Sequence, residues 1–284
     1  MEKGIECEST FENQSLNKFL IGGGIFVLLL IALLMFLIRR NGPKQKWSFV
    51  KKNNLKHHAV ITGGSSGIGL SIAHECIKLK NKDGDPFFSH ITIIARNQTK
   101  LDQAKKGLLD QMGESSKVVI QTISADISNY EIISDSINKN IIEDDTIPTP
   151  TILFNVAGTA IPCRFISSDP TIYSHLMSTN YLGSVYTTRI LCPHMISNGG
   201  GTIVLTSSAA GQVGIYGYSA YSPTKFALRG FAEVLSMELA PHNVHVQIAF
   251  PPNTETPGFE KENELKMEEC RLMEDSAGLF QPEE

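Results

Sequence analysis

One stretch of this chain constrains its fold strongly: His57-His58-Ala59-Val60-Ile61-Thr62-Gly63-Gly64-Ser65-Ser66-Gly67-Ile68-Gly69. The apolar residues at its start predict a buried strand over His57–Ile61, and Leu70–Lys80 predicts a helix. The turn between them is rich in glycine, so its backbone can approach a ligand closely. Strand, glycine-rich turn and helix in this order are typical of dinucleotide binding, because the helix N-terminus attracts the pyrophosphate. The candidate cofactor residues in this stretch are Gly63, Ser65, Ser66, Gly67, Ile68 and Gly69.

Strands and helices alternate along the rest of the chain. Further predicted strands are Ile91–Ala95, Val118–Ser124, Thr151–Phe154, Thr202–Thr206 and Val244–Phe250. Further predicted helices are Gln98–Met112, Tyr130–Ile142, Thr171–Ile196 and one that begins near Ala220 or Tyr221. This alternation predicts an α/β fold, a Rossmann-type doubly wound parallel sheet. The polar segments Lys80–His90 and Glu143–Pro150 contain glycine or proline and are predicted to be surface loops.

The end of the second strand bears on which dinucleotide binds. An acid at that position would bond the ribose 2′-hydroxyl of NAD, whereas an arginine accommodates the 2′-phosphate of NADP. Arg96 follows the strand directly, Lys100 lies one turn further on, and no acid occupies the strand end. The pattern favours NADP(H), although a solvated loop charge remains the alternative for Arg96. After the fourth strand, Asn155 is a further candidate cofactor residue, and the small residues that follow it would let the cofactor pass close.

The pattern Tyr221-x-x-x-Lys225 places a phenol and an ammonium group on one face of a helix. Pro223 lies between them, and because proline is tolerated only in the first helical turn, the helix should begin near Ala220 or Tyr221. Reduction of a ketone requires a proton on its oxygen. The ammonium group would lower the pKa of the tyrosine from about 10, so that the phenol could exchange its proton. Both residues are therefore catalytic candidates and also candidate contacts of the cofactor.

Three further residues are candidates for the same chemistry. Ser208 follows the apolar run Thr202–Thr206, and its hydroxyl could hold and polarise the carbonyl oxygen. Ser207 is adjacent and remains an alternative for that role. Asn180 falls inside a predicted helix, where it could hold a water molecule in a proton relay to the lysine.

Length and composition narrow the class of protein. The chain has 284 residues, of which 42% are apolar, enough for one α/β domain with a sizeable core. Its formal net charge of -4 gives no indication of nucleic-acid binding. The five cysteines form no C-x-x-C pair and the eight histidines form no H-E-x-x-H motif. The sequence therefore predicts neither a disulfide framework nor a metal site.

An uncharged apolar segment, Phe19–Ile38, precedes the catalytic region. About 20 such residues, rising about 1.5 Å each, span a hydrocarbon core of about 30 Å, so we predict a transmembrane helix. A cleaved signal peptide fits less well, because residues 1–18 are acidic and no small-residue cleavage site follows. Residues 39–56 are basic, so the positive-inside rule predicts a luminal N-terminus and a cytosolic domain over 57–284.

Taken together, the motifs resemble those of the short-chain dehydrogenase/reductases. Thr62–Gly69 fits the pattern T-G-x-x-x-G-x-G, and Asn155–Gly158 fits N-N-A-G except that Val156 replaces the second asparagine. The residues that match the catalytic tetrad of the family are Asn180, Ser208, Tyr221 and Lys225. The residues that this resemblance implies as NADPH contacts are Gly63, Ser65, Ser66, Gly67, Arg96, Lys100 and Asp126.

Further segments are similar to one group within that family, the 3-ketodihydrosphingosine reductases. They are Ala95–Asn97, Lys100–Leu101, Asn180–Tyr186, Gly214–Gly217, Lys225–Gly230 and Pro251–Phe259. The resemblance implies NADPH-dependent reduction of 3-oxosphinganine to sphinganine at the endoplasmic reticulum membrane, with the catalytic domain facing the cytosol. The predicted anchor fits independently, because a long-chain amino ketone partitions into lipid. Homo-oligomerisation is left open.

Two alternatives remain at this point. One is a reductase of another hydrophobic carbonyl, such as a steroid or a retinoid. The pocket around Pro251–Phe259 is the feature that would distinguish such a substrate from a sphingoid ketone. The other is a truncated, non-catalytic, membrane-bound protein that binds nucleotide. It arises because the sequence stops at Gln281-Pro282-Glu283-Glu284. We expect the next helix and the last strand of the family to be missing, which would uncover one edge of the sheet.

Overall fold

The computed structural model describes residues 57–113, 116–274 and 278–283. The chain divides into two units, Met1–Phe49 and Val50–Glu284, and every described residue belongs to the second. The predicted anchor Phe19–Ile38 and the basic segment 39–56 lie outside the described residues. Within the described ranges, no helix combines the length and the apolar character needed to cross a bilayer.

Six parallel strands form one sheet. They are β1 (His57–Thr62), β2 (Phe88–Ala95), β3 (Val119–Ser124), β4 (Ile152–Asn155), β5 (Gly201–Thr206) and β6 (Val244–Ala249). Their order is β3-β2-β1-β4-β5-β6, and every neighbouring pair is parallel. The predicted Rossmann-like parallel sheet is therefore confirmed. The order reverses between β1 and β4, and in such sheets ligands bind outside the carboxyl ends of the strands at this point.

Helices connect the strands and cover both faces of the sheet. The α-helices are α1 (Gly67–Lys78), α2 (Gln98–Met112), α3 (Tyr130–Ile137), α4 (Thr171–Leu176), α5 (Gly183–Ser197), α6 (Ser222–Leu239), α7 (Pro257–Leu265) and α8 (Glu268–Glu274). Two π-helical segments, Asn138–Ile142 and Met177–Leu182, follow α3 and α4, and short 3₁₀ turns cover Phe165–Ser167, Ala209–Gly211 and Ala240–His242.

Strand alternation divides the core into two clusters. Ala59 and Ile61 of β1 pack with α1 and α2 on one face of the sheet, and Val60 packs with α3, α5 and α6 on the other. Successive side chains of a strand point to opposite faces, so each strand contributes to both clusters. Because helices cover both faces, β1 is buried without alternation from His58 to Thr62, as strands of parallel sheets generally are.

The structure differs from the sequence prediction in several places, and the predicted helix Tyr130–Ile142 ends in the π-helical segment Asn138–Ile142. The predicted single helix Thr171–Ile196 is wrong in its middle, where Met177–Leu182 widens to a π-helix. The predicted loop Lys80–His90 is too long, because the buried side chain of Phe88 starts β2 within it. The acidic stretch after β6, for which no element was predicted, forms α7 and α8.

The matched pair Leu108 and Leu109 in α2 tests the packing. Leu108 is 0% exposed in the core, whereas Leu109 is 43% exposed. We expect Leu108→Ala to lower the free energy of unfolding by about 2–5 kcal/mol, because a cavity replaces the lost contacts. Leu109→Ala should change it by no more than about 0.5 kcal/mol. Urea unfolding followed by circular dichroism measures both, and similar losses for the two variants would contradict the assigned burial.

Candidate active site

A cavity of about 350 Å³ lies at the carboxyl ends of β1, β2, β3 and β4. The structure brings most of the predicted cofactor residues to its wall. Those that line it are Gly63, Ser65, Ser66, Gly67, Ile68, Gly69, Arg96, Lys100 and Asp126. They come from three separate strand ends, and the sheet order alone places these ends side by side. The cavity is situated where a dinucleotide lies in this fold.

The glycine-rich turn is shaped to receive a pyrophosphate. Gly63 has φ of 71° and Gly67 has φ of 53°, a region that side chains other than glycine rarely adopt. A Cβ atom on Gly63 would lie 2.9 Å from the backbone of Ala157, so the turn packs tightly on the end of β4. Ser66 begins α1 without a side-chain capping bond, which leaves the first amides of the helix available to an anion.

The far end of this cavity carries positive charge. Arg96 is exposed at the end of β2, and Lys100 lies in the first turn of α2, whose N-cap is Asn97. Asp126 lies opposite, where partial burial would raise its pKa, but hydrogen bonds from Ser128 and the charge of Arg96 outweigh that effect and lower it. The carboxylate therefore stays ionised, and two cations remain near the position of the adenosine ribose.

Asn155 does not contact this cavity, although the sequence analysis named it as a cofactor residue. Its side chain is buried and donates to Thr188 Oγ1 at 3.0 Å, while Thr187 Oγ1 donates to it at 2.6 Å. Asn155 thus joins β4 to α5, and the residues that follow it, Val156 to Gly158, reach the cavity instead. This expectation is corrected because two threonines on α5 already satisfy the amide.

A second cavity, of about 200 Å³, adjoins the first. The two share the lining residues Ile68, Val156, Gly158, Thr256 and Gly258. Four of the five catalytic candidates line the second cavity: Ser207, Ser208, Tyr221 and Lys225. Residues of the segment Pro251–Phe259 also line it. A molecule in this cavity would therefore lie next to a cofactor in the first one.

Tyr221 and Lys225 are brought together by the start of α6. Tyr221 is the N-cap, and Pro223 falls in the first turn, where its missing N–H costs nothing. The Lys225 Nζ lies 5.6 Å from the centroid of the Tyr221 ring and donates to the carbonyl of Thr206 at 2.9 Å. Lys225 is 4% exposed, and burial lowers its pKa to about 8. The lysine is therefore still mainly protonated at neutral pH.

The pKa of Tyr221 is raised, opposite to the sequence-based expectation. Burial is the largest cause, a hydrogen bond with Ser208 lowers the pKa, and the charge of Glu262 raises it again. The ammonium group of Lys225 donates to the carbonyl of Thr206 and does not offset the effect of burial on the pKa of Tyr221. The phenol accordingly holds its proton at neutral pH, as a proton donor must.

The structure distinguishes the two candidate serines. Ser207 is buried, and its hydroxyl donates to the carbonyl of Lys225 at 2.9 Å. Ser208 is only partly buried and forms a hydrogen bond with Tyr221. Its hydroxyl also accepts from the amide of Ala210 at 3.2 Å, which fixes its orientation. Ser208 is therefore the serine that can reach a carbonyl beside Tyr221, while Ser207 holds α6 in place.

Asn180 lies behind the cavities rather than in their walls. It is 0% exposed, and its amide accepts from the backbone N–H of Thr159 at 2.8 Å and donates to the carbonyl of Thr159 at 2.9 Å. A third bond joins it to Thr224 Oγ1 at 3.1 Å. A Cβ atom on Gly158 would lie 3.1 Å from Asn180 Oδ1 and 3.4 Å from Lys225 Nζ. The amide oxygen and nitrogen of Asn180 thus both have partners, and they hold the segment after β4 beside Lys225.

The sequence analysis missed a group of residues at the opposite wall. Glu262, Glu274 and Tyr218 all line the second cavity. One available signal was the i,i+4 spacing of Glu262 and Lys266, which is typical of an ion pair on a helix but was not used. No pattern in the sequence indicated that this helix would pack against the catalytic residues.

A family profile described as short chain dehydrogenase matches residues 57–266. Among curated proteins, a "3-dehydrosphinganine reductase" of Danio rerio is 42% identical over 227 residues, covering 80% of this chain and 65% of that protein. A "3-ketodihydrosphingosine reductase" of Bos taurus is 42% identical over 228 residues, with the same coverage. A protein of that name from Dictyostelium discoideum is 36% identical over 255 residues, covering 86% of this chain and 73% of that protein. The chain thus spans 65% of the first two relatives.

Solved structures show the same fold. An L-sorbose reductase of Gluconobacter frateurii, complexed with NADPH and L-sorbose, superposes with a TM-score of 0.65 at 24% identity, covering 80% of this chain and 85% of that one. A 3-oxoacyl-[acyl-carrier protein] reductase of Brucella melitensis with bound NAD has a TM-score of 0.64 at 25% identity, covering 81% and 80%. The two neighbours bind different nicotinamide dinucleotides, so the fold does not choose between them.

The two serines provide a test of this geometry. We expect Ser208→Ala to lower turnover of a carbonyl substrate about 10²- to 10³-fold, because the carbonyl oxygen loses a hydrogen-bond donor. Ser207→Ala should instead lower the free energy of unfolding, by about 1–3 kcal/mol, because a buried bond to α6 is lost. Steady-state kinetics and thermal unfolding of both variants measure these effects. The assignment is wrong if Ser207→Ala removes turnover at unchanged stability while Ser208→Ala remains active.

Proposed function

The chain belongs to the short chain dehydrogenase family, and we propose that it reduces 3-ketodihydrosphingosine (3-oxosphinganine) to sphinganine with NADPH. One observation carries the proposal: Ser208, Tyr221 and Lys225 line a single cavity that adjoins the cofactor cavity. The names of the curated relatives support the choice of substrate.

The residues of the second cavity divide the chemistry between them. When bound, NADPH supplies the hydride. The hydroxyl of Ser208 donates a hydrogen bond to the carbonyl oxygen and polarises it. Tyr221, whose raised pKa keeps its proton in place, gives that proton to the same oxygen. The ammonium group of Lys225 then stabilises the phenolate that remains, because an opposite charge nearby favours the ionised form.

The shape of the protein near this cavity suits a long hydrocarbon chain. An apolar groove of about 990 Å³ adjoins the catalytic cavity and shares Ile215 and Tyr218 with it. Phe165, Ile166 and Phe226 line this groove. A ketone held at Tyr221 could therefore extend its chain along the groove.

The choice of NADPH rests on the charge at the end of β2. Arg96 and Lys100 both line the cofactor cavity there, and neither has an ion-pair partner among the described residues. A 2′-phosphate would meet two cations at this position, whereas the 2′-hydroxyl of NADH would find no carboxylate at the strand end. We therefore expect the protein to prefer the phosphorylated cofactor.

The proposal extends to the location of the protein. The segment Phe19–Ile38 would anchor the chain in the endoplasmic reticulum membrane, and the basic residues of 39–56 would keep the catalytic domain in the cytosol. A substrate that partitions into the bilayer would then be concentrated near the site.

An activity assay tests the function. Membranes that contain this chain are incubated with NADPH and 3-oxosphinganine, and in parallel with a steroid ketone. We expect sphinganine as the product, detected by mass spectrometry, and no reduction of the steroid. Tyr221→Phe should lower turnover by about 10²- to 10⁴-fold while NADPH binding is retained, because only the proton donor is removed.

Tyr130→Phe serves as the matched control, because this tyrosine is 48% exposed on α3, away from both cavities. It should leave turnover unchanged. Reduction of the steroid but not of 3-oxosphinganine would refute the proposed substrate. Unchanged turnover of Tyr221→Phe would refute the proposed chemistry.

Arg96→Ala tests the cofactor preference. We expect the dissociation constant of NADPH to rise about 10- to 100-fold, because a charge-assisted hydrogen bond to the 2′-phosphate is lost. The constant for NADH should change little. Quenching of protein fluorescence measures both, with Arg229→Ala, an exposed arginine paired with Glu233, as the control. An equal loss for the two cofactors would show that Arg96 does not contact the 2′-phosphate.

A further inference from the structure

Four residues at one wall of the catalytic cavity form what we call the carboxylate wall: Tyr218, Glu262, Lys266 and Glu274. Glu262 lies on α7 and Glu274 at the end of α8, and both line the same cavity as Ser208 and Tyr221. The side chains of Glu262 and Glu274 are only 18% and 13% exposed. The carboxylates therefore face the reacting groups rather than bulk solvent.

The hydrogen bonds of this wall leave one carboxylate short of partners. The hydroxyl of Tyr218 is within bonding distance of Glu262 Oε1 and of Glu274 Oε1, the latter at 2.9 Å. A phenol has one proton and can serve only one of the two at a time. The bonds of Glu262 to the described residues all use Oε1, so Oε2 is left for a further partner.

The charges of the wall do not balance. Lys266 Nζ lies 2.5 Å from Glu274 Oε2 and 3.4 Å from Glu262 Oε1, and its side chain is 2% exposed. It is the one cation that the described residues place against two carboxylates. The other side chains bonded to the two carboxylates are neutral: Asn253 is an amide, and burial raises the pKa of Tyr218 and raises that of Cys270 to about 11.

An excess negative charge in a mostly buried site is costly unless a cation arrives to pair with it. Burial accordingly raises the pKa of Glu262, the carboxylate that lies farther from the Lys266 Nζ. Its charge also reaches the phenol of Tyr221, whose pKa it raises. The two groups are therefore electrostatic neighbours across the cavity.

We propose that Glu262 binds the ammonium group of a substrate that carries an amine on the carbon next to its carbonyl. This rests on the proposed function and identifies what selects amino ketones within it. The rings of Tyr218 and Tyr221 are 5.6 Å apart between centroids. The phenol that bonds Glu262 and the phenol that protonates the carbonyl are thus adjacent, as an amine and an oxygen on neighbouring carbons require.

This arrangement discriminates by charge. An ammonium group would provide the second cation of the wall and bring it to neutrality. A neutral ketone of the same length would displace water from the cavity and leave the carboxylate without a partner, which costs free energy. Glu262 is thus a specificity residue, while proton transfer remains with Tyr221.

The experiment compares two water-soluble, short-chain ligands, a 2-amino-1,3-diol and the same diol without its amine. Binding to the full chain in detergent, saturated with NADP⁺, is measured by calorimetry. We expect the wild type to bind the amino compound about 10- to 100-fold more tightly, and Glu262→Gln to lose this preference. Glu264→Gln is the matched control, since Glu264 is exposed on the same helix; it should keep the preference.

The outcomes separate this inference from the function on which it rests. If the wild type reduces no ketone but prefers the amino compound through Glu262, the proposed reaction fails and the binding role stands. If the wild type reduces 3-oxosphinganine but binds both diols equally, the inference is overturned, as it is if Glu262→Gln keeps the preference. If Glu262→Gln no longer binds the cofactor, the variant is taken as unfolded and Glu274→Gln is used in its place. Because Glu274→Gln removes the second carboxylate, we expect it to weaken the preference for the amino compound.

Discussion

The site depends on one junction between two strands, the hydroxyl of Thr62. Its oxygen accepts from the backbone amides of Val156 at 3.0 Å and Ala157 at 3.2 Å, and so fastens the end of β1 to the chain that leaves β4. Gly63 then turns directly over Ala157, and Gly158 reaches Asn180 and Lys225. Because both cavities share Val156 and Gly158, one buried hydroxyl sets the floor of the cofactor site and the position of the catalytic lysine together.

Burial has the largest effect on the pKa values of the groups in the site. A lysine in this position would normally lower the pKa of its tyrosine, yet Lys225 is held by the carbonyl of Thr206 and the phenol keeps its proton. On the opposite wall, burial leaves Glu262 and Glu274 with a single cation, Lys266. The protein thus places a proton donor and an excess negative charge on two sides of one small cavity, which suits a substrate that is an acceptor at one atom and a cation at the next.

Most of the fold could be predicted from the sequence, because strands such as Val119–Ser124 and helices such as Gln98–Met112 follow from local patterns. The glycine turn and the Tyr-Lys spacing predicted the residues that meet at the strand ends. The predictions that failed concern residues whose partners are distant in sequence. Asn155, for example, bonds to two threonines on α5 and does not line the cofactor cavity. The choice between Ser207 and Ser208 could not be made from the sequence, because it depends on which of the two side chains points towards Tyr221 after β5 ends. Glu262 was missed because only tertiary packing carries its helix to the site.

Thr256 physically connects the two cavities. It lines both cavities, its side chain packs on Gly67 of the glycine turn, and its hydroxyl caps the helix that carries Glu262 by accepting from the amide of Phe259 at 3.1 Å. A cofactor seated on the turn would therefore touch the same residue that starts the helix of the opposite wall. If cofactor binding moves Thr256, the start of that helix moves with it, and a substrate held at Glu262 would act back on the turn in the same way, because such coupling is reciprocal.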